Sequence, residues 1–288
     1  MSICKILVPL DGSERDRLAL TAAFSAARVF AAHVEAMHVR IQPADALPFV
    51  GEGMSAALVQ ELVELTERES AARAAIARET FETMRTAAEL PTARVPVPGA
   101  AGGGPSAAWL ELRGQEDDAV VRAGRLADLI VLPRPATGGG VGSSSAFGAA
   151  LFETGRPVLV TGTQALPLRM DRIVVAWDGS AQAARALGAA LPFLARAEQV
   201  TVVTCREHGD DDEELEEVTA YLAWHGIAAG HRAVMQYPSV AEALVAAAIG
   251  TDLLVMGGYS HSRLREMILG GVTRHMLEKA ALPLLLAH

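Results

Sequence analysis

One pattern occurs twice in this chain, and an internal repeat constrains the fold more than any other feature. Residues 6–13 read Ile-Leu-Val-Pro-Leu-Asp-Gly-Ser, and residues 173–180 read Ile-Val-Val-Ala-Trp-Asp-Gly-Ser. Each is an apolar strand-like run that ends in Asp and is followed by Gly and a helix-capping Ser. Two further pairs recur in the same order. Asp128-Leu-Ile-Val-Leu-Pro133 matches Asp252-Leu-Leu-Val-Met-Gly257, and Arg156-Pro-Val-Leu-Val160 matches Leu282-Pro-Leu-Leu-Leu286. The 288 residues therefore divide into two copies, each long enough to bury its own core. The joint is expected at 162–170, giving domains 1–163 and 170–288.

The second copy is the cleaner one. Apolar strands are expected at 171–177, 200–205, 231–236, 252–257 and 283–287. Helices are expected at 180–197, 210–226, 239–250 and 270–280. Strands alternating with helices predict parallel β-α-β units with right-handed crossovers. The near-continuous apolar strands fit a sheet covered on both faces. The first copy follows the same plan, with extra sequence at 41–53, in a long charged helix at 55–90, and in a Gly-rich stretch at 98–105.

Composition narrows the function classes. The formal net charge is −9, both halves are acidic, and no basic tail or stripe is present, which argues against nucleic acid. No apolar run reaches the roughly 20 residues of a membrane span. The N-terminus enters a strand by Ile6 without a leader-like segment. Cys4 and Cys205 fall one per half and form no disulfide framework. A reduced, cytoplasmic protein is expected.

In an open parallel sheet, ligands bind beyond the carboxyl ends of the strands, where the strand order reverses. That places Asp178 opposite the segment from Gly257 to Arg274. Its glycines allow close backbone approach to a phosphate, and a helix starting near Gly271 offers free N–H groups. Ser260, Ser262 and Thr273 supply hydroxyls there, and Arg263 and Arg265 supply charge.

The doubled strand-Asp-Gly-Ser pattern, with Met-Gly-x4-Ser-x-Leu-x5-Gly-Gly-Val-Thr in the second half, resembles the universal stress protein family in its tandem two-domain form. The resemblance implies two flavodoxin-like (adenine nucleotide alpha hydrolase-like) α/β domains. Each would be a five-stranded parallel sheet of order 3-2-1-4-5 with helices on both faces. In nucleotide-binding members of the family, Gly-x2-Gly-x9-Gly-(Ser/Thr) follows the fourth strand. The Asp of the first strand lies near the adenosine, and the end of the second strand touches the base. Carried over, Asp178 matches that Asp, Gly257 the first glycine and Gly270 the third. Ser260 stands in place of the second glycine and Gly271 in place of the hydroxyl residue, with Thr273 two positions on. The implied site comprises Ala176, Trp177, Asp178, Cys205, Met256, Gly257, Ser260, His261, Gly270, Gly271, Val272 and Thr273. Its ligand would be ATP, or AMP or ADP, with Mg if ATP is bound. In the first half Pro133-Arg-Pro135 replaces the glycine and removes a backbone donor. That half is expected to pack against the second as an intramolecular pseudo-dimer.

Bland readings stand beside these. Asp11 and Asp178 fit strand-end turn caps better than acid–base or metal groups. His208 with Asp210, Asp211 and Asp212 reads as an acidic helix start. Cys205 reads as a small buried hydrophobe, and Trp177 as core or pocket wall. No nucleophile–base constellation is evident, so no catalytic residue and no metal ligand is assigned, and any ATP hydrolysis is expected to be slow. Three functions remain open: a nucleotide-responsive stress regulatory module with an unidentified protein partner, an interaction or chaperone-like scaffold, and a small-molecule hydrolase. Homodimerisation is expected through exposed edge strands such as 283–287.

Overall fold

The computed structural model describes residues 2–42, 56–93, 104–135, 141–206, 213–235, 238–258 and 271–288. Within them, ten strands join into one continuous sheet. They are β1 Lys5–Leu10, β2 His33–Arg40, β3 Ser106–Arg113, β4 Leu129–Leu132, β5 Val158–Val160, β6 Arg172–Ala176, β7 Gln199–Arg206, β8 Ala229–Met235, β9 Leu253–Gly257 and β10 Leu284–Ala287. The helices are α1 Asp16–Phe30, α2 Ala56–Ala87, α3 Glu116–Gly124, α4 Val141–Glu153, α5 Ala181–Leu194, α6 Glu213–Trp224, α7 Val240–Ala247 and α8 Gly271–Lys279. Among the described residues no helix is long and apolar enough to cross a membrane.

The strand order is β3-β2-β1-β4-β5-β10-β9-β6-β7-β8. Each half reads 3-2-1-4-5 outward from its first strand, with every pairing inside a half parallel. This is the expected doubly wound α/β arrangement. The repeated aspartates hold it together. Asp128 accepts the backbone N–H groups of Cys4 and Lys5 at 2.8 and 2.9 Å, and Asp252 accepts that of Arg172 at 2.9 Å. Each carboxylate thus ties the start of a fourth strand to the start of its first strand. Ser180 and Ser239 cap α5 and α7, accepting from Ala183 N and Glu242 N. The core lies in two apolar layers, one on each face of the sheet.

One expectation is overturned. Residues 283–287 do not form an exposed edge. β10 pairs antiparallel with β5, through Leu284↔Val160, Leu285↔Leu159 and Leu286↔Val158, and Leu284, Leu285 and Leu286 are wholly buried. An antiparallel contact between the two fifth strands is what a two-fold relation between equivalent copies produces. The edge donors and acceptors of one copy are satisfied by the other, leaving β3 and β8 at the outer margins.

Candidate functional site

The two Asp-Gly-Ser turns are built alike. Asp178 accepts the Ser180 N–H at 3.1 Å, and Asp11 accepts the Ser13 N–H at 2.8 Å, so each aspartate locks its own turn. Gly12 and Gly179 both take positive φ, +80° and +71°, which explains the glycine in each copy. Beyond this shared frame the two halves differ.

In the second half Asp178 is exposed, and the Ser180 hydroxyl also donates to it at 2.5 Å. Ala176 pairs with Val203, and the Trp177 N–H continues the ladder by donating to Val203 O at 2.8 Å. The Trp177 indole N–H donates to Glu214 in the first turn of α6, at 2.8 Å. Trp177 is therefore a half-buried wall, anchored from outside. β9 lies next to β6, so Gly257 reaches the same end of the sheet as Asp178. A Cβ on Gly257 would lie 2.7 Å from Ala183 N and 2.9 Å from Gln182 C, so only glycine lets β9 approach the start of α5. Gly271 opens α8, and a Cβ there would meet no atom of the described residues within 4 Å. Met256 and Thr273 are buried at 5% and 3% exposure, and Val272 packs partly into the same apolar layer. Their side chains thus serve packing, and a ligand at this end would meet their backbone. Cys205 is half-buried, and its Sγ lies 3.8 Å from Val240 O. Burial pushes its thiol pKa up, away from the reactive thiolate. Ser260, His261 and Gly270, with Arg263 and Arg265, lie outside the described residues, as does the cluster His208 with Asp210, Asp211 and Asp212.

In the first half the equivalent space is filled by three residues that sequence reasoning passed over. Asp16, at 1% exposure, stands where the second half has Ala183. It accepts the N–H groups of Asp11 at 3.1 Å and Gly12 at 2.9 Å. Those donors are therefore engaged internally. Burial, and then the charge of Asp11, push the Asp16 carboxyl up to about 7. Glu116 rises to about 7 by burial, then by the charges of Asp11 and Asp117. Arg15 stands where the second half has Gln182, and pairs with Asp11 at 3.0 Å. The third residue, Arg134, aligns with Gly258. It crosses to the other half and donates to Met276 O at 2.9 Å, Leu277 O at 2.6 Å and Leu282 O at 2.7 Å. A cation there satisfies carbonyls at the C-terminal end of α8, where the helix dipole favours positive charge. Burial lowers Arg134 to about 10, which leaves it charged at neutral pH. Helix α2 closes the top, since a Cβ on Gly12 would meet Arg73 O at 2.7 Å. What remains is a cavity of about 30 Å³ lined by Asp11, Arg15, Asp16, Glu116 and Arg134 among others, with room for about one water.

The comparisons with known proteins agree with this plan. Residues 206–288 match the model of the Universal stress protein family. The second half of the chain is thus similar to that family in sequence. A universal stress protein from Archaeoglobus fulgidus DSM 4304 superposes with TM-score 0.68 at 17% identity, covering 98% of this chain and 97% of its own. A functionally unknown protein from Pseudomonas aeruginosa PAO1 superposes with TM-score 0.56 at 14% identity, covering 99% and 92%. These likenesses show that the fold of both halves together is one that the universal stress proteins use. No curated protein matches the chain.

Proposed function

We propose that this chain is a tandem universal stress protein acting as a nucleotide-responsive regulatory module, dividing into domains 1–163 and 170–288, whose second half binds ATP, AMP or ADP. The observation that carries the reading is the contrast at the strand ends. The second half keeps an exposed Asp178, a glycine at the β9 end and, at the start of α8, a glycine that no described residue crowds. The first half has filled the corresponding space with Asp16, Arg15 and Arg134. The phosphates would lie toward the start of α8, where backbone N–H groups and the dipole favour an anion. Asp178 would face the ribose, with Ala176, Trp177 and the Cys205 strand end toward the base. Bound ATP would bring Mg, whose charge offsets that of the phosphates. The site is regulatory rather than catalytic, and the setting is the cytoplasm, where adenine nucleotide is abundant.

The competing reading is a scaffold that binds no nucleotide; the sealed first half favours it. Isothermal titration with Mg-ATP separates the two. Micromolar binding is expected for the intact chain and is lost in Gly271→Asp, whose carboxylate would repel phosphate without crowding a described neighbour. An intact chain that gives no heat rejects the nucleotide reading.

A further inference from the structure

A cavity of about 340 Å³ opens between α1, the chain joining the halves, and the loops that precede β9 and β10. That volume falls within the range of small-molecule sites, about 300–1,000 Å³. It is separate from the nucleotide region. Asp252 lines it at the start of β9, whereas Gly257 ends that strand, roughly 15 Å away at the usual rise per residue.

Its walls are mainly apolar and come from both halves: Leu18 and Ala22 on α1, Leu166 and Leu168 on the joining chain, Leu282 and Pro283 before β10. Leu166 stands 64% exposed. The walls are held in place at three points. Thr163 N donates to Ala281 O at 3.0 Å, and a Cβ on Gly162 would lie only 2.7 Å from that same oxygen. Ser25 donates to Leu168 O at 3.2 Å. Arg169 pairs with Asp171 at 2.6 Å and approaches Asp252 at 3.9 Å. The formal charges of the lining are thereby matched to one another, which leaves a charged ligand without a counter-ion. Thr161 is different. It lines the cavity at 2% exposure, and its hydroxyl has no hydrogen-bond partner among the described residues. A buried hydroxyl left unpaired is costly, so such a group usually has a partner that completes it.

We propose that this cavity is a binding site for a small neutral molecule with an apolar body and one hydrogen-bonding group, which completes Thr161 and bridges the two halves. Indole has that chemistry and serves as the probe, followed by amide chemical shifts of the full chain. Saturable shifts are expected around Ala22, residues 161–168 and residues 281–282. Thr161→Val keeps the shape and removes the hydroxyl. It should weaken indole roughly threefold to tenfold, the worth of one neutral hydrogen bond, and should raise the melting temperature of the ligand-free chain. Leu18→Trp, at a half-buried position, fills the chamber and should abolish the shifts while leaving Mg-ATP heats unchanged. Absence of saturable shifts in the intact chain, shifts centred elsewhere, or full indole affinity in Leu18→Trp would overturn the proposal. If Leu18→Trp does not fold, undiminished affinity in Thr161→Val overturns the part played by the hydroxyl.

Discussion

The two Asp-Gly-Ser turns share their backbone and differ in what surrounds them. Around Asp178, the neighbouring described positions are Ala183, Gln182 and Gly258. Around Asp11 the same positions carry Asp16, Arg15 and Arg134, and each is engaged. Besides the long helix α2, the copies thus differ where side chains face the strand ends. Where the second copy has Gly258, the first has Arg134, which reaches into the second copy. Arg134 takes hold of the C-terminal end of α8, whose opposite end faces the proposed phosphate region. The first copy therefore braces a helix of the second.

The largest effect is expected from removing that brace. Arg134→Ala leaves three carbonyls without their charged donor and should cost about 3 kcal/mol in urea unfolding, since hydrogen bonds to charged groups contribute about 1.5–3 kcal/mol. A loss under about 0.5 kcal/mol, the range of an ordinary surface change, would show that the first copy merely sits beside the second.

Next come the glycines of the open copy. Gly257→Ala pushes a methyl group against the Ala183 backbone and should destabilise by about 1–3 kcal/mol, as overpacking does. Gly271→Ala meets no described atom and lies in a helix, so it should be neutral or stabilising by up to about 1 kcal/mol. If both substitutions behave alike, close approach is not what requires glycine at 257.

A separate expected effect is a pH dependence centred on the closed copy. Asp16 and Glu116 titrate near 7 in the folded chain but near 4 when unfolded. Between those values the folded state holds protons that the unfolded state has released. Stability should therefore be greatest near pH 4, fall as pH rises toward 7, and stop falling above it. Glu116→Gln and Asp16→Asn should each flatten that slope in unfolding measured from pH 4.5 to 7.5. An unchanged slope in both would place the buried protons elsewhere.

The architecture was legible in the sequence because repeated strand runs, turn caps and the Asp128 and Asp252 positions are local signals. Strand ends at Gln199, Ala229 and Leu284 fall within a few residues of expectation. The antiparallel β5–β10 joint was not legible. Leu284, Leu285 and Leu286 form an apolar run that fits a central strand as well as a covered edge, and nothing local names a partner more than 120 residues away. The Arg134 brace was hidden for the same reason, since its acceptors lie 142 to 148 residues on. Asp16 could have been noticed: an acid three residues after Ser13, opposite Ala183 in the other copy, was a visible difference, and Ser13 itself does not cap α1, whose N-cap is Arg15. What α2 covers could not be read, because its charged pattern says only that one face is wet.

The central claim is that one copy binds adenine nucleotide and the other has closed. Isothermal titration of Mg-ATP against the intact chain, Asp11→Ala and Asp178→Ala tests it most directly. The expected result is one site per chain, unchanged by Asp11→Ala and weakened at least tenfold by Asp178→Ala. Two sites per chain, a site that responds to Asp11→Ala instead, or no binding at all would contradict it.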